Sequence, residues 1–140
     1  MELRFAHLAD FASADSSGKL TVVGIFDIVW DRLGVRPISL PPCYLLAKFE
    51  ASIAEGAEHE IEISLVDDDE KPYGSVIKGT LEFRTHGVGH PAQSHLLVGF
   101  GLGALSVPEL GDYHFRFKVA GRVVGSVRLS ALTPPAPATV

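Results

Sequence analysis

The sequence predicts an all-β fold: an antiparallel two-sheet sandwich, immunoglobulin-like in the broad sense, of seven to nine strands. Three observations predict it. Apolar residues recur with a period of two rather than 3.6. Turn signals rich in Gly, Pro, Asp and Ser separate the apolar runs at regular spacing. The chain has 140 residues, 46% hydrophobic and 21% charged, which suits one domain with its own core and excludes a disordered chain.

The elements follow in order. Residues 3–11 and 20–30 are apolar beyond one face's need, as in strands buried on both sides. Asp15, Ser16, Ser17 and Gly18 form the turn between them, with Gly supplying a positive φ. Gly24 inside the second run predicts a bulge, or the close approach of a neighbouring backbone or ring. Residues 37–42, bounded by prolines, make a long crossing. In residues 43–53, Leu45, Ala47, Phe49, Ala51 and Ile53 alternate with Lys48, Glu50 and Ser52. Helix is the rival for this run, because Leu45, Leu46, Phe49 and Ile53 also share a helical face, as do residues 28–33.

Residues 59–66 and 81–84 continue the alternation, through Ile61, Ile63 and Leu65, then Leu81 and Phe83. Val98, Phe100, Leu102 and Ala104 alternate with Gly99, Gly101 and Gly103. Tyr113, Phe115, Phe117 and Val119 alternate with His114, Arg116 and Lys118, and residues 123–129 close the series. Leu110-Gly111-Asp112-Tyr113 resembles a tyrosine corner, in which the hydroxyl ties back to an upstream backbone group. One domain is expected over residues 1–132. The Pro-rich tail, 133–140, cannot join a central ladder and is expected to be extended.

Charge and cysteine content exclude several function classes. Twelve basic residues face seventeen acidic ones, for a net charge of −5, so no nucleic-acid partner held by bulk charge is expected. A single cysteine excludes an internal disulfide framework and a Cys-based zinc site. Glu2, Arg4, His7 and Asp10 break any signal-peptide run, and no stretch reaches the ~20 apolar residues of a spanning helix. A cytoplasmic protein with no membrane role is expected, and Cys43 reads as a structural thiol in a reducing compartment.

Ala9-Asp10, and then the block from Gly18, Lys19 and Leu20 to Gly24, Ile25, Phe26 and Asp27, carry a resemblance. The chain resembles a family of small uncharacterised bacterial proteins, a domain of unknown function. Its pattern is a strand ending Ala-Asp, a turn, and Gly-Lys-Leu-x-x-x-Gly-Ile-Phe-Asp. A proline-containing crossing, an acidic hairpin turn (Asp67 to Glu70) and a Gly-x-Tyr-x-Phe strand (Gly111, Tyr113, Phe115) extend it over nearly the whole chain except the tail. The resemblance implies the fold and no established activity. One departure is visible: Asp69-Glu70-Lys71-Pro72 stands where such turns carry Asp-Gly, which predicts a longer, looser loop.

Candidate chemistry is sparse. His86, His90 and His95 are weak metal candidates in a pliable loop containing Gly87 and Gly89, and the bland reading is a solvated loop. Asp67, Asp68, Asp69 and Glu70 lack the order of a calcium loop and read as a solvated turn. His7, Asp10 and Asp27 offer a hydrolase-like set, but no Gly-x-Ser-x-Gly elbow accompanies them. Trp30 and Tyr73 are a candidate sugar platform, with core margin as the bland alternative for Trp30. Gly99, Gly101 and Gly103 are the interface candidates: a bare strand face admits an internal ring, a second chain or a stacked ligand. The expectation is a non-enzymatic, self-associating interaction module with no cofactor. The alternatives are a carbohydrate- or metal-binding sandwich and a hydrolase-like enzyme.

Overall fold

Strand-forming alternation extends almost throughout the chain, and the structure, a computed structural model, describes residues 1–52, 56–85 and 87–136. Among them it is all-β, with eleven strands and no helix. The strands are β1 (Glu2–Ala14), β2 (Leu20–Phe26), β3 (Ile28–Trp30), β4 (Ile38–Ser39), β5 (Cys43–Ala51) and β6 (Glu58–Asp67). They continue with β7 (Pro72–Glu82), β8 (Ala92–Phe100), β9 (Ser106–Val107), β10 (Gly111–Val119) and β11 (Arg122–Leu132). A four-stranded sheet has the order β2-β1-β5-β8, and a five-stranded sheet has the order β3-β11-β10-β6-β7. The short pair β4-β9 forms a third sheet. All pairings are antiparallel except β3 with β11.

One expectation about the strands changes, and one rival is set aside. The run 20–30 is not one strand: it splits at Asp27, so that β2 and β3 lie in different sheets. Asp27 marks the switch, and its carbonyl accepts the Ser130 N–H at 2.8 Å. Residues 43–51 are strand rather than helix, paired on both sides by β1 and β8; Ile53 lies outside the described residues.

The core is where the two large sheets meet. Leu45, Ala47 and Phe49 of β5 share one buried cluster with Phe115 and Phe117 of β10 and Leu129 of β11. The rings of Phe49 and Phe117 meet edge to face at 5.9 Å, and Phe100 stacks on Phe115 at 6.1 Å. These aromatic contacts join the four-stranded sheet to the five-stranded one, and each such ring buries a large apolar area. Gly125 of β11 lies so close to Leu3 of β1 that a β-carbon there would overlap the leucine. Cys43 is fully buried, and burial, followed by the charge of Asp10, pushes its thiol pKa up, which suits an inert packing role.

The four-stranded sheet curls. Leu46 points away from the main core yet is fully buried, in a second cluster with Ala9 and Ala12. Leu20 and Val22 of β2 pack on that same cluster, as does Phe5. A straight strand would carry the hairpin tip, at about 3.3 Å per residue, well away from His95, which lies level with Phe5 across Lys48; yet Gly18 at the tip comes within reach of the His95 ring. The hairpin therefore folds back over its own sheet. Gly24 is the hinge of that fold, with φ +70 and the Asp10 carboxyl over it. At the tip, a β-carbon on Gly18 would stand 3.8 Å from the His95 ring.

Candidate functional site

The β1–β2 and β6–β7 hairpin turns are built on one design. The Asp15 carboxylate accepts the N–H groups of Ser17 (2.9 Å) and Lys19 (3.0 Å) and the Ser17 hydroxyl (2.6 Å). The Asp67 carboxylate accepts the N–H groups of Asp69 and Lys71, both at 2.9 Å, and the Tyr73 hydroxyl at 2.7 Å. Each turn has a left-handed residue three places after the aspartate, Gly18 at φ 83 and Glu70 at φ 62, and a lysine after that. Glu70 thus occupies the place a glycine normally takes, and the loop is no longer or looser for it, contrary to the expectation. Its carboxylate pairs with Arg116, which helps hold the residue there. The Ser17 hydroxyl and then the Lys19 N–H hold Asp15 below the usual carboxylate range; the Tyr73 hydroxyl and then the Lys71 N–H do so for Asp67.

The folded-back hairpin encloses a polar cleft of about 580 Å³. Ser16, Ser17 and Gly18 form one wall; Glu82, Arg84, Gln93 and His95 lie on the other. Gln93 and Arg84 are bridged through their backbones, at 2.9 and 3.0 Å. The cleft offers donors and acceptors of both signs, the chemistry that fits a neutral polyhydroxyl ligand better than a bare anion or cation. Sequence pattern does not single out Glu82, Arg84 or Gln93, because their convergence depends on the long-range bridge between Arg84 and Gln93.

The sequence candidates are dispersed. His90 lines a separate cleft with Met1, Glu50 and Pro91, away from His95. His86 lies outside the described residues. Among the described residues no three His, Cys, Asp or Glu side chains are grouped to hold a metal ion. His7 stacks on Phe5 at 5.9 Å, Asp10 covers Gly24, and Asp27 sits at the β2–β3 switch near Arg128. Trp30 and Tyr73 stand on β3 and β7, opposite edges of the five-stranded sheet, so they form no common platform. Arg128 instead bonds Asp112 at 3.0 Å, and Ser130 donates to the same carboxylate at 2.5 Å. These two bonds, Ser130 first, lower the Asp112 pKa.

The glycine-faced strand is also corrected. Only Gly99 lies in β8; Gly101 and Gly103 belong to the loop after it, and Leu102 is 87% exposed there. The bare face of Gly99 admits an internal ring, since a β-carbon would stand 3.1 Å from Cε1 of Tyr44. An exposed apolar patch on a regular strand lies elsewhere, while Leu33, Val35, Val88 and Leu102 are exposed in loops. On β2, Val23 is 55% and Ile25 59% exposed, and both face outward beside Phe11, which is 46% exposed. Val23 pairs with Phe11, and Ile25 with Ala9. β2 is an edge strand, paired only with β1. Nothing in the segment 20–26 is charged, and this is visible in the sequence; the edge position that gives it meaning is not.

No helix among the described residues is long and apolar enough to cross a membrane. No curated protein matches the chain. The model of a family of unknown function (DUF6941) matches residues 4–131, a span that runs from β1 into β11 and includes the β1–β2 and β6–β7 hairpins, the hinge at Gly24 and the edge strand β2. The chain belongs to that family of unknown function, DUF6941.

Proposed function

We propose that the protein is a non-enzymatic assembly module, a cytoplasmic sandwich of broadly immunoglobulin-like build that associates with a second copy of itself. The observation that carries this reading is the exposed pair Val23 and Ile25 on the edge strand β2, with Phe11 beside them. Exposed apolar side chains next to open backbone donors and acceptors favour pairing with another chain. Two large sheets around one aromatic core support the sandwich reading. So does the Tyr113 hydroxyl, which donates to the Glu109 carbonyl at 2.8 Å in the manner of a tyrosine corner. The buried, inert thiol of Cys43 suits a reducing compartment.

Sedimentation velocity over a concentration series tests the proposal. The sedimentation coefficient should rise with concentration toward that of a larger species. A constant single-chain value up to high micromolar concentration would contradict it. A second reading rests on the cleft between the hairpin tip and Gln93–His95: a small carbohydrate held by Glu82, Arg84, Gln93 and His95. A thermal-shift panel of sugars separates the two, because a ligand of the folded state raises the melting temperature.

A further inference from the structure

We infer that the second copy docks through β2, antiparallel to β2 of the first and related to it by a two-fold axis at Val23. This rests on the self-association proposed above and names its register. The other outer strands are poorer candidates. β3 has three residues, β7 carries Pro72, Lys78 and Glu82, and β8 is already joined at Gln93 to Arg84. Proline, charge and a covering strand are the usual devices that block an edge. β2 has neither proline nor charge in Leu-Thr-Val-Val-Gly-Ile-Phe, and its only irregularity is Gly24.

Charge fixes the register. Lys19 and Asp27 flank the strand, one at each end, and both are exposed. Among the described residues Lys19 makes no ion pair. Antiparallel pairing centred on Val23 sets Lys19 of each copy opposite Asp27 of the other. It also sets Leu20 against Phe26, Thr21 against Ile25, and Val23 against itself. The two-fold makes each charge contact twice. Sliding either strand by two residues loses both charge pairs. Opposite charges directly across a ladder stabilise it, and like charges weaken it. An isologous contact of this kind closes as a dimer rather than growing into a fibre.

Two variants test the register. Lys19→Asp sets carboxylates against each other at both ends and should raise the dimer dissociation constant about tenfold. The double variant Lys19→Asp with Asp27→Lys should restore it. Val23→Cys brings two thiols together at the axis, where paired α-carbons about 4.5–5.5 Å apart lie within disulfide reach. Mild oxidation should then yield a covalent dimer, while Val123→Cys on β11 should not. Dimers that ignore the charge swap and do not cross-link at Val23 would overturn this register and leave self-association standing. A chain that stays monomeric throughout would overturn both. A thermal melt of each variant distinguishes lost pairing from lost folding.

Discussion

The carboxylate of Asp10 lies over the α-carbon of Gly24, in the space a β-carbon would take. The backbone of Gly24 is left-handed there, at φ +70. The two residues come from opposite strands of one hairpin, and between them they let it fold back over its sheet. Gly24→Ala should therefore lose about 1–3 kcal/mol of stability, from the left-handed backbone and the overlap together. Adding Asp10→Ala should recover part of this by removing the overlap, leaving the roughly 1 kcal/mol of backbone cost. Urea unfolding of the two variants measures the difference. Equal stability of Gly24→Ala and the parent would show that the hinge is unstrained.

Tyr113 ties β10 to the residue before Leu110 through its hydroxyl, and its ring meets Tyr73 edge to face at 5.6 Å. Tyr113→Phe keeps the ring and removes the bond, so the expected loss is about 0.5–1.5 kcal/mol. Chemical denaturation reads it. Removal of the whole ring in Tyr113→Ala should cost several times more, because the residue lies in the core cluster.

The Asp67–Tyr73 bond sets a pH dependence at both ends of the scale. The Asp67 pKa is lowered in the folded chain, first by the Tyr73 hydroxyl. Its contribution to stability is present above the ordinary carboxylate pKa and is lost as pH falls through the folded value. The Tyr73 phenol is pushed up to about 12, first by its bond to Asp67. Its contribution is complete below the ordinary tyrosine pKa and is lost as pH rises through about 12. Spectrophotometric titration should show late ionisation of Tyr73. In Asp67→Asn that ionisation should move back toward the ordinary range, and the melting temperature at neutral pH should fall.

The core between the sheets gives the largest expected loss. Phe49 and Phe117 are fully buried and touch edge to face. Either residue changed to Ala should cost about 3–5 kcal/mol. Because the rings touch, the double variant should lose less than the sum of the two single changes. Denaturant midpoints of the three variants provide the comparison.

Legibility in the sequence followed burial. β5, β6 and β10 bury one face or both cleanly, and their alternation reads directly: Leu45, Ala47 and Phe49, or Tyr113, Phe115 and Phe117. β7 is an edge strand with most residues exposed, so only its end at Leu81 carries the pattern. β4 and β9 are two residues each and leave no period to detect. The split at Asp27 is hidden because both sides of it are apolar. Surplus hydrophobicity in residues 20–30 pointed to two buried faces, and the structure divides it differently. Leu20 and Val22 pack under the curl, Val29 enters the main core, and Val23 and Ile25 remain outside. Ser16, Ser17 and Gly18 reach the wall of Glu82, Arg84 and His95 only because the hairpin folds back, a long-range event that local spacing does not encode.

The proposed self-association runs through the edge that carries Val23 and Ile25. Light scattering coupled to size-exclusion chromatography tests it most directly, with the parent compared against Val23→Glu/Ile25→Lys over a range of loading concentrations. Pairing through β2 gives a parent mass rising toward two chains and a variant that stays at one chain with its fold intact. A single-chain mass for the parent at every concentration, or a variant that dimerises as well as the parent, would contradict it.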